Sequence, residues 1–183
     1  MIRQSPCHKS GDFLSRIFRL RRMQSLGDFF NQSVKVLAMF KHILIPTDGS
    51  DLSKIAIENG VRFAKELNAK ITGLTVTAPF HYFAIDAIQV GSSADDYIGH
   101  ANEQAERNLK VLRDAANKAG VPCEVMHRVG EHPYEEIVKA AQEQNCDVIF
   151  QASHGRRGAS ALVIGSETNK VLTHSKIPVL VFR

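Results

Sequence analysis

Ala152-Ser153-His154-Gly155, nine further residues, and then Gly165-Ser166 form the stretch of this chain whose residue types best suit chemistry. Glycine can adopt positive φ and lets an oxyanion come close to the backbone, while a serine hydroxyl can donate to a phosphate or cap a helix. The run Cys146-Asp147-Val148-Ile149-Phe150 upstream reads as a buried parallel strand. Ser166-Glu167-Thr168-Asn169-Lys170-Val171-Leu172 opens a helix, and Pro178-Val179-Leu180-Val181-Phe182 closes the chain as another strand. A loop running from the carboxyl end of a parallel strand into a helix presents free backbone N–H groups and the positive end of the helix dipole. The chemistry is therefore anion binding, most simply of a phosphate chain. As a bare pattern, two glycines and a serine also fit an ordinary tight strand-to-helix connection.

Other chemistries find less support. The eight histidines show no paired metal-ligand spacing. There is no GxxxxGK[ST] loop for a P-loop kinase and no GxSxG elbow for a serine hydrolase. His154 in a glycine-bearing loop reads as a hydrogen-bond donor to an anion before it reads as a general base. Arg156 and Arg157 suit either phosphate pairing or plain solvation.

The positioning elements follow from pattern. Ile43-Leu44-Ile45, stopped by Pro46, reads as a central strand, and Thr47-Asp48-Gly49-Ser50 leads into a helix carrying Ile55, Ala56, Val61, Phe63, Ala64 and Leu67. Asp48 thus hangs at the carboxyl end of a strand, where open α/β sheets bind ligands. It also suits helix capping or an Asx-turn with Gly49. Lys70 to Val76 reads as a second strand. The connection from Thr77 to Ala94, with Phe80, Tyr82, Phe83 and Gly91-Ser92-Ser93, suits a lid, a partner surface or disorder. A long helix begins at Asp95-Asp96, carries Ala101, Ala105, Leu109, Leu112, Ala115 and Ala116, and stops at Gly120. Val121 to Val129 reads as a third strand, with His127 half-buried, and Gly130-Glu131-His132-Pro133 starts the next helix. Strand and helix alternate five times, the pattern of an open five-stranded parallel sheet with helices on both faces.

Composition narrows the function. A chain of 183 residues with 44% hydrophobic side chains can bury a sizeable core, and no run is long enough to span a membrane as a helix. The net charge of +4 would suit nucleic acid, but residues 1–38 carry seven Lys or Arg against two Asp. They hold +5, and the remainder holds −1. A near-neutral domain has no electrostatic footprint for DNA or RNA. Cys7, Cys123 and Cys146 form no CxxC pair; the latter two read as buried thiols, which suits a reducing cytoplasm. Residues 1–38 read as a basic extension ahead of a domain that begins at Met39, disordered or produced by an early start assignment. Phe13, Leu14, Ile17 and Phe18 among arginines also suit membrane-surface contact or organelle targeting.

From residue 39 to residue 183 the chain resembles the universal stress proteins. Their nucleotide-binding members carry Gly, two residues, Gly, nine residues, and Gly followed by Ser or Thr. The match here is Ala152, Ser153-His154, Gly155, then Gly165-Ser166, supported by Ile43-Leu44-Ile45-Pro46-Thr47-Asp48-Gly49-Ser50 at the first strand and its acidic loop. The resemblance implies an ATP site made by Pro46, Thr47, Asp48, Val76, Ala152, Ser153, His154, Gly155, Gly165, Ser166 and Glu167. Asp48 would lie at the ribose or reach a metal through water, and Val76 at the adenine. ATP would come with or without Mg²⁺ bridging its phosphates. The resemblance further implies a cytoplasmic homodimer closing across Ile177 to Arg183, with nucleotide occupancy biasing an unknown protein partner. Ala152 departs from the family's glycine: at positive φ it would cost roughly 1–2 kcal/mol, and at negative φ little. The alternatives are a nucleotide-free dimeric module of the same fold, which the Ala152 departure supports, and a slow ATP hydrolase. No arranged nucleophile, base or metal cluster argues for an enzyme.

Overall fold

The computed structural model describes residues 40–80, 94–154 and 164–183. The basic extension, the candidate lid residues Tyr82, Phe83 and Gly91 to Ser93, and Gly155 with Arg156 and Arg157 lie outside the described residues. The elements in chain order are β1 (His42–Pro46), α1 (Asp51–Leu67), β2 (Lys70–Thr77), α2 (Ala94–Ala119), β3 (Cys123–Val129), α3 (Pro133–Glu143), β4 (Val148–Ala152), α4 (Ser166–His174) and β5 (Val179–Phe182). The five strands are all parallel and lie in the order β3-β2-β1-β4-β5. This is the open parallel α/β sheet expected from the alternation of elements.

Strand parity divides the core into two layers. Ile43, Ile45, Ile71, Val148 and Phe150 face one side, where Val61 and Ala64 of α1 and Leu112 and Ala116 of α2 cover them. Leu44, Leu74 and Ile149 face the other, under Ile137 and Ala140 of α3 and Val171 of α4. Both faces of β1 are therefore buried, which is why its sequence is continuously apolar rather than alternating.

Local signals fix the boundaries. Ser50 caps α1, its Oγ accepting from Ser53 N at 3.2 Å, and Asn68 ends the helix in the left-handed region at φ 52. Gly120 ends α2 at φ +71. The third strand starts at Cys123 rather than Val121, because Val121 N is still committed to Ala116 O at 2.9 Å, closing the end of α2. The fourth strand runs later than its apolar run suggests, starting at Val148 and reaching Ala152. Asp147 lies outside the strand, and its carboxylate accepts from the backbone N–H groups of Lys41 and His42. Cys146 is buried as expected, whereas Cys123 is only half-buried; burial pushes each thiol up to about 11, so neither is a thiolate near neutrality.

Sheet order creates the functional edge. From β1 the chain moves outward through β2 to β3, then crosses back over β1 to enter β4, and continues to β5. The connections on the two sides of β1 thus leave in opposite directions. A crevice outside the carboxyl ends of β1 and β4 follows from this topology.

Candidate functional site

The β1–α1 loop is held rigidly at that crevice. Thr47 N donates to Leu74 O at 2.8 Å, and Thr47 O accepts from Thr75 Oγ1 at 3.0 Å. Its hydroxyl lies 3.1 Å from Ser53 Oγ and accepts from Gly49 N at 3.2 Å. Buried Thr47 therefore shapes the loop through bonds within the fold. Asp48 stands half-exposed on the rim, with Oδ1 accepting from Ser50 N at 3.0 Å, the Asx-turn that its sequence context allows. Gly49 sits at φ +78, a conformation that favours glycine, and Asn108 Oδ1 lies only 2.1 Å from where a Cβ would be, so any side chain would displace that amide.

The β4–α4 side differs from its sequence reading in three respects. Ala152 is the last residue of β4, aligned with Phe182 and 9% exposed, and among the described non-glycine residues only Asn68 and Asn145 have positive φ. An alanine here carries no left-handed strain, and its methyl belongs to the core layer with Phe150. Gly165 has φ −58 rather than a positive value, and its N–H is committed to Ser153 O at 2.8 Å. What demands glycine is proximity: a Cβ would lie 3.2 Å from Ser153 O and 3.4 Å from His154 Cα. Ser166 does not cap α4. Gly165 occupies the N-cap with no side-chain cap bond, leaving the Ser166 side chain at an exposed first helical position.

These bonds bring the two halves of the motif together. Ser153, 1% exposed, donates from N to Phe182 O at 2.7 Å, while Thr168 Oγ1 donates to Ala152 O at 3.1 Å. The first turn of α4 is thereby locked against the end of β4. Since α4 begins at Ser166, the N–H groups of Ser166, Glu167 and Thr168 have no intrahelical acceptor and emerge at the carboxyl edge of the sheet. Glu167 is directed elsewhere: Oε2 accepts from Tyr134 N at 3.1 Å and Oε1 from Lys170 Nζ at 2.8 Å, joining the first turns of α3 and α4.

His154 is half-buried, with Nδ1 3.0 Å from Ser153 Oγ and Nε2 buried without a partner among the described residues. The contact superficially resembles a nucleophile and base, but the serine is sealed from solvent. Among the described residues no group of three His, Cys, Asp or Glu could hold a metal ion.

Sequence reading missed one wall of the site. A cavity of about 410 Å³ opens beside Asp48 and Val76 and is closed on the far side by Tyr97, His100, Gln104 and Asn108 of α2. Asn108 is buried and accepts from Gln104 Nε2 at 3.1 Å. The spacing of residues 97, 101, 104 and 108 was a helical face in plain view, adjacent to the apolar stripe that drew attention instead.

Residues 39–183 match the family model described as the universal stress protein family. The chain belongs to the universal stress protein family. The universal stress protein YxiE of Bacillus subtilis is 32% identical over 149 residues, covering 79% of this chain and 100% of the relative. The solved structure of MJ0577, a universal stress protein of Methanocaldococcus jannaschii, superposes with a TM-score of 0.66 at 27% identity, over 78% of this chain and 95% of that one. A universal stress protein solved in complex with cAMP shares the fold, with a TM-score of 0.53 at 24% identity over 79% of this chain and 97% of that one. Among the described residues of this universal stress protein, no helix is long and apolar enough to cross a membrane.

Proposed function

We propose that this universal stress protein binds ATP across the β1–β4 crevice and uses occupancy to bias contact with a protein partner. The observation that carries the reading is the meeting, at one sheet edge, of Asp48 and Val76 with the first turn of α4, whose leading N–H groups have no intrahelical acceptor. The N–H groups of Ser166 to Thr168, the Ser166 hydroxyl and the glycine-bearing loop containing Gly155 would take the phosphates. Pro46, Val76 and the cavity wall would take the nucleoside, with Asp48 at the ribose. Mg²⁺ would arrive with the phosphates, Asp48 being the carboxylate at hand. That a protein of this fold has been solved with cAMP supports an adenine nucleotide as the ligand class. Turnover is absent or very slow, because a cradle that makes no contact specific to a transition state does not accelerate chemistry.

The departure at Ala152, the best support for a nucleotide-free module, carries no backbone strain, since Ala152 is in ordinary strand conformation. The protein acts in the cytoplasm as a homodimer paired across β5, the sheet edge, which offers backbone groups to a second copy. Isothermal titration of ATP into wild type and Ser166→Ala tests the site. Binding weakened roughly fivefold in the variant, as loss of one hydrogen bond of about 1 kcal/mol requires, supports it. Equal affinities remove Ser166 from the phosphate cradle.

A further inference from the structure

Asn108 is a buried carboxamide on the apolar stripe of α2, between buried Ala105 and Leu112. Its Oδ1 accepts from Gln104 Nε2 at 3.1 Å, an i,i+4 pair, and among the described residues this is its one hydrogen bond. A carboxamide offers two donors and two acceptor lone pairs, so most of that capacity goes unused at a position where an apolar side chain would pack at lower cost.

The cavity beside Asp48 gives the amide something to face, because Asn108 and Gln104 both line it. Three other polar side chains of the lining are engaged within the fold. Thr75 Oγ1 donates to Thr47 O at 3.0 Å, Thr77 Oγ1 lies 2.8 Å from His127 Nε2, and Tyr97 Oη donates to Ala78 O at 3.1 Å. Asp48 is half-exposed and His100 exposed, which leaves the Asn108 amide as the buried polar group of the wall with bonding capacity to spare. It also lies against the turn that carries Asp48, its Oδ1 being 2.1 Å from where a Cβ at Gly49 would be. A carboxamide and a carboxylate thus border one cavity of about 410 Å³, which has room for a nucleoside.

We infer that Asn108 is a specificity-determining residue that hydrogen-bonds one hydroxyl of the nucleotide's ribose, with Asp48 at the other. This rests on the nucleotide reading above and deepens it. A hydroxyl is donor and acceptor at once, and a carboxamide presents one or the other in either orientation, so the match holds whichever way the amide is turned. A deoxy sugar leaves the amide buried and unanswered, and it binds less well.

Calorimetry on the 183-residue protein compares ATP with 2′-deoxy-ATP and 3′-deoxy-ATP, for wild type and for Asn108→Ala. Wild type should bind ATP about fivefold more tightly than at least one of the two analogues, and the variant should narrow that preference to within about twofold. Asn108→Leu, of nearly the same volume as the native residue, repeats the comparison. Without ligand both variants should melt within a few degrees of wild type, since alanine and leucine suit a buried helical position. Wild type that binds ATP and both analogues alike overturns the inference and leaves ATP binding intact. Variants that weaken all three nucleotides in proportion overturn it too, by placing the base and not the sugar against Asn108. A larger fall in melting temperature in both variants also overturns it, by showing that the amide serves the fold. Wild type that takes none of the three sinks the nucleotide reading and this inference with it.

Discussion

At Gly165 the physical reason for the residue is packing, and that changes what a substitution there reports. Its missing side chain lets the start of α4 rest against Ser153 O and His154 Cα, both backbone neighbours that cannot swing aside. Gly165→Ala should therefore destabilise the apo protein by about 1–3 kcal/mol, as overpacking does, and urea denaturation without nucleotide is the check. A variant as stable as wild type would mean that the contact relaxes freely. His42 is a second residue whose setting has a measurable consequence. It is buried in the sheet with Nε2 2.7 Å from Thr72 Oγ1. Desolvation, followed by Lys70, holds its pKa below the ordinary 6.5 against the opposing pull of Asp147 and Glu124. The unfolded chain then takes up a proton before the native one. Stability is fully present above pH 6.5 and falls as the pH drops from there toward the lowered native value. Burial lowers His127 in the same direction, so His42→Gln should reduce, without abolishing, the loss of stability between about pH 7.5 and pH 5.5. An unchanged pH profile in chemical denaturation would remove His42 from that account.

At the scale of elements, β1, β4 and α4 do most of the positioning. Their existence was legible because Ile43-Leu44-Ile45 and Val148-Ile149-Phe150 are unbroken apolar runs, a strong signal for strands buried on both faces. The detail of the β4–α4 connection was not legible. Whether Ala152 lies in the strand or the loop depends on its alignment with Phe182. Whether Gly165 needs positive φ or close packing depends on contacts with Ser153 and His154. Neither relation is local in sequence. The wall made by Tyr97, Gln104 and Asn108 was written at helical spacing, but polar residues on a long helix read by default as a solvated face. β5 carries the assembly prediction. Val181→Lys would place a charge on the edge strand and should yield monomers by light scattering; an unchanged molar mass would contradict pairing across β5.

At the scale of the whole molecule, the family match spans residues 39–183, and residues 40–183 cluster as one compact unit. A chain starting at Met39 should melt within a few degrees of the full-length protein, and a larger fall would show that residues 1–38 contribute to the domain. The near-neutral charge of that domain, beside a strongly basic extension, again argues for a small anionic ligand over nucleic acid. A topology that brings two loops about a hundred residues apart to one sheet edge suits a ligand long enough to span them. The ligand we propose is ATP, and calorimetric titration of ATP into the 183-residue protein is the decisive experiment. Saturable heat with one ATP per chain, weakened roughly fivefold by Ser166→Ala, is the result expected. No heat at millimolar ATP would contradict the account.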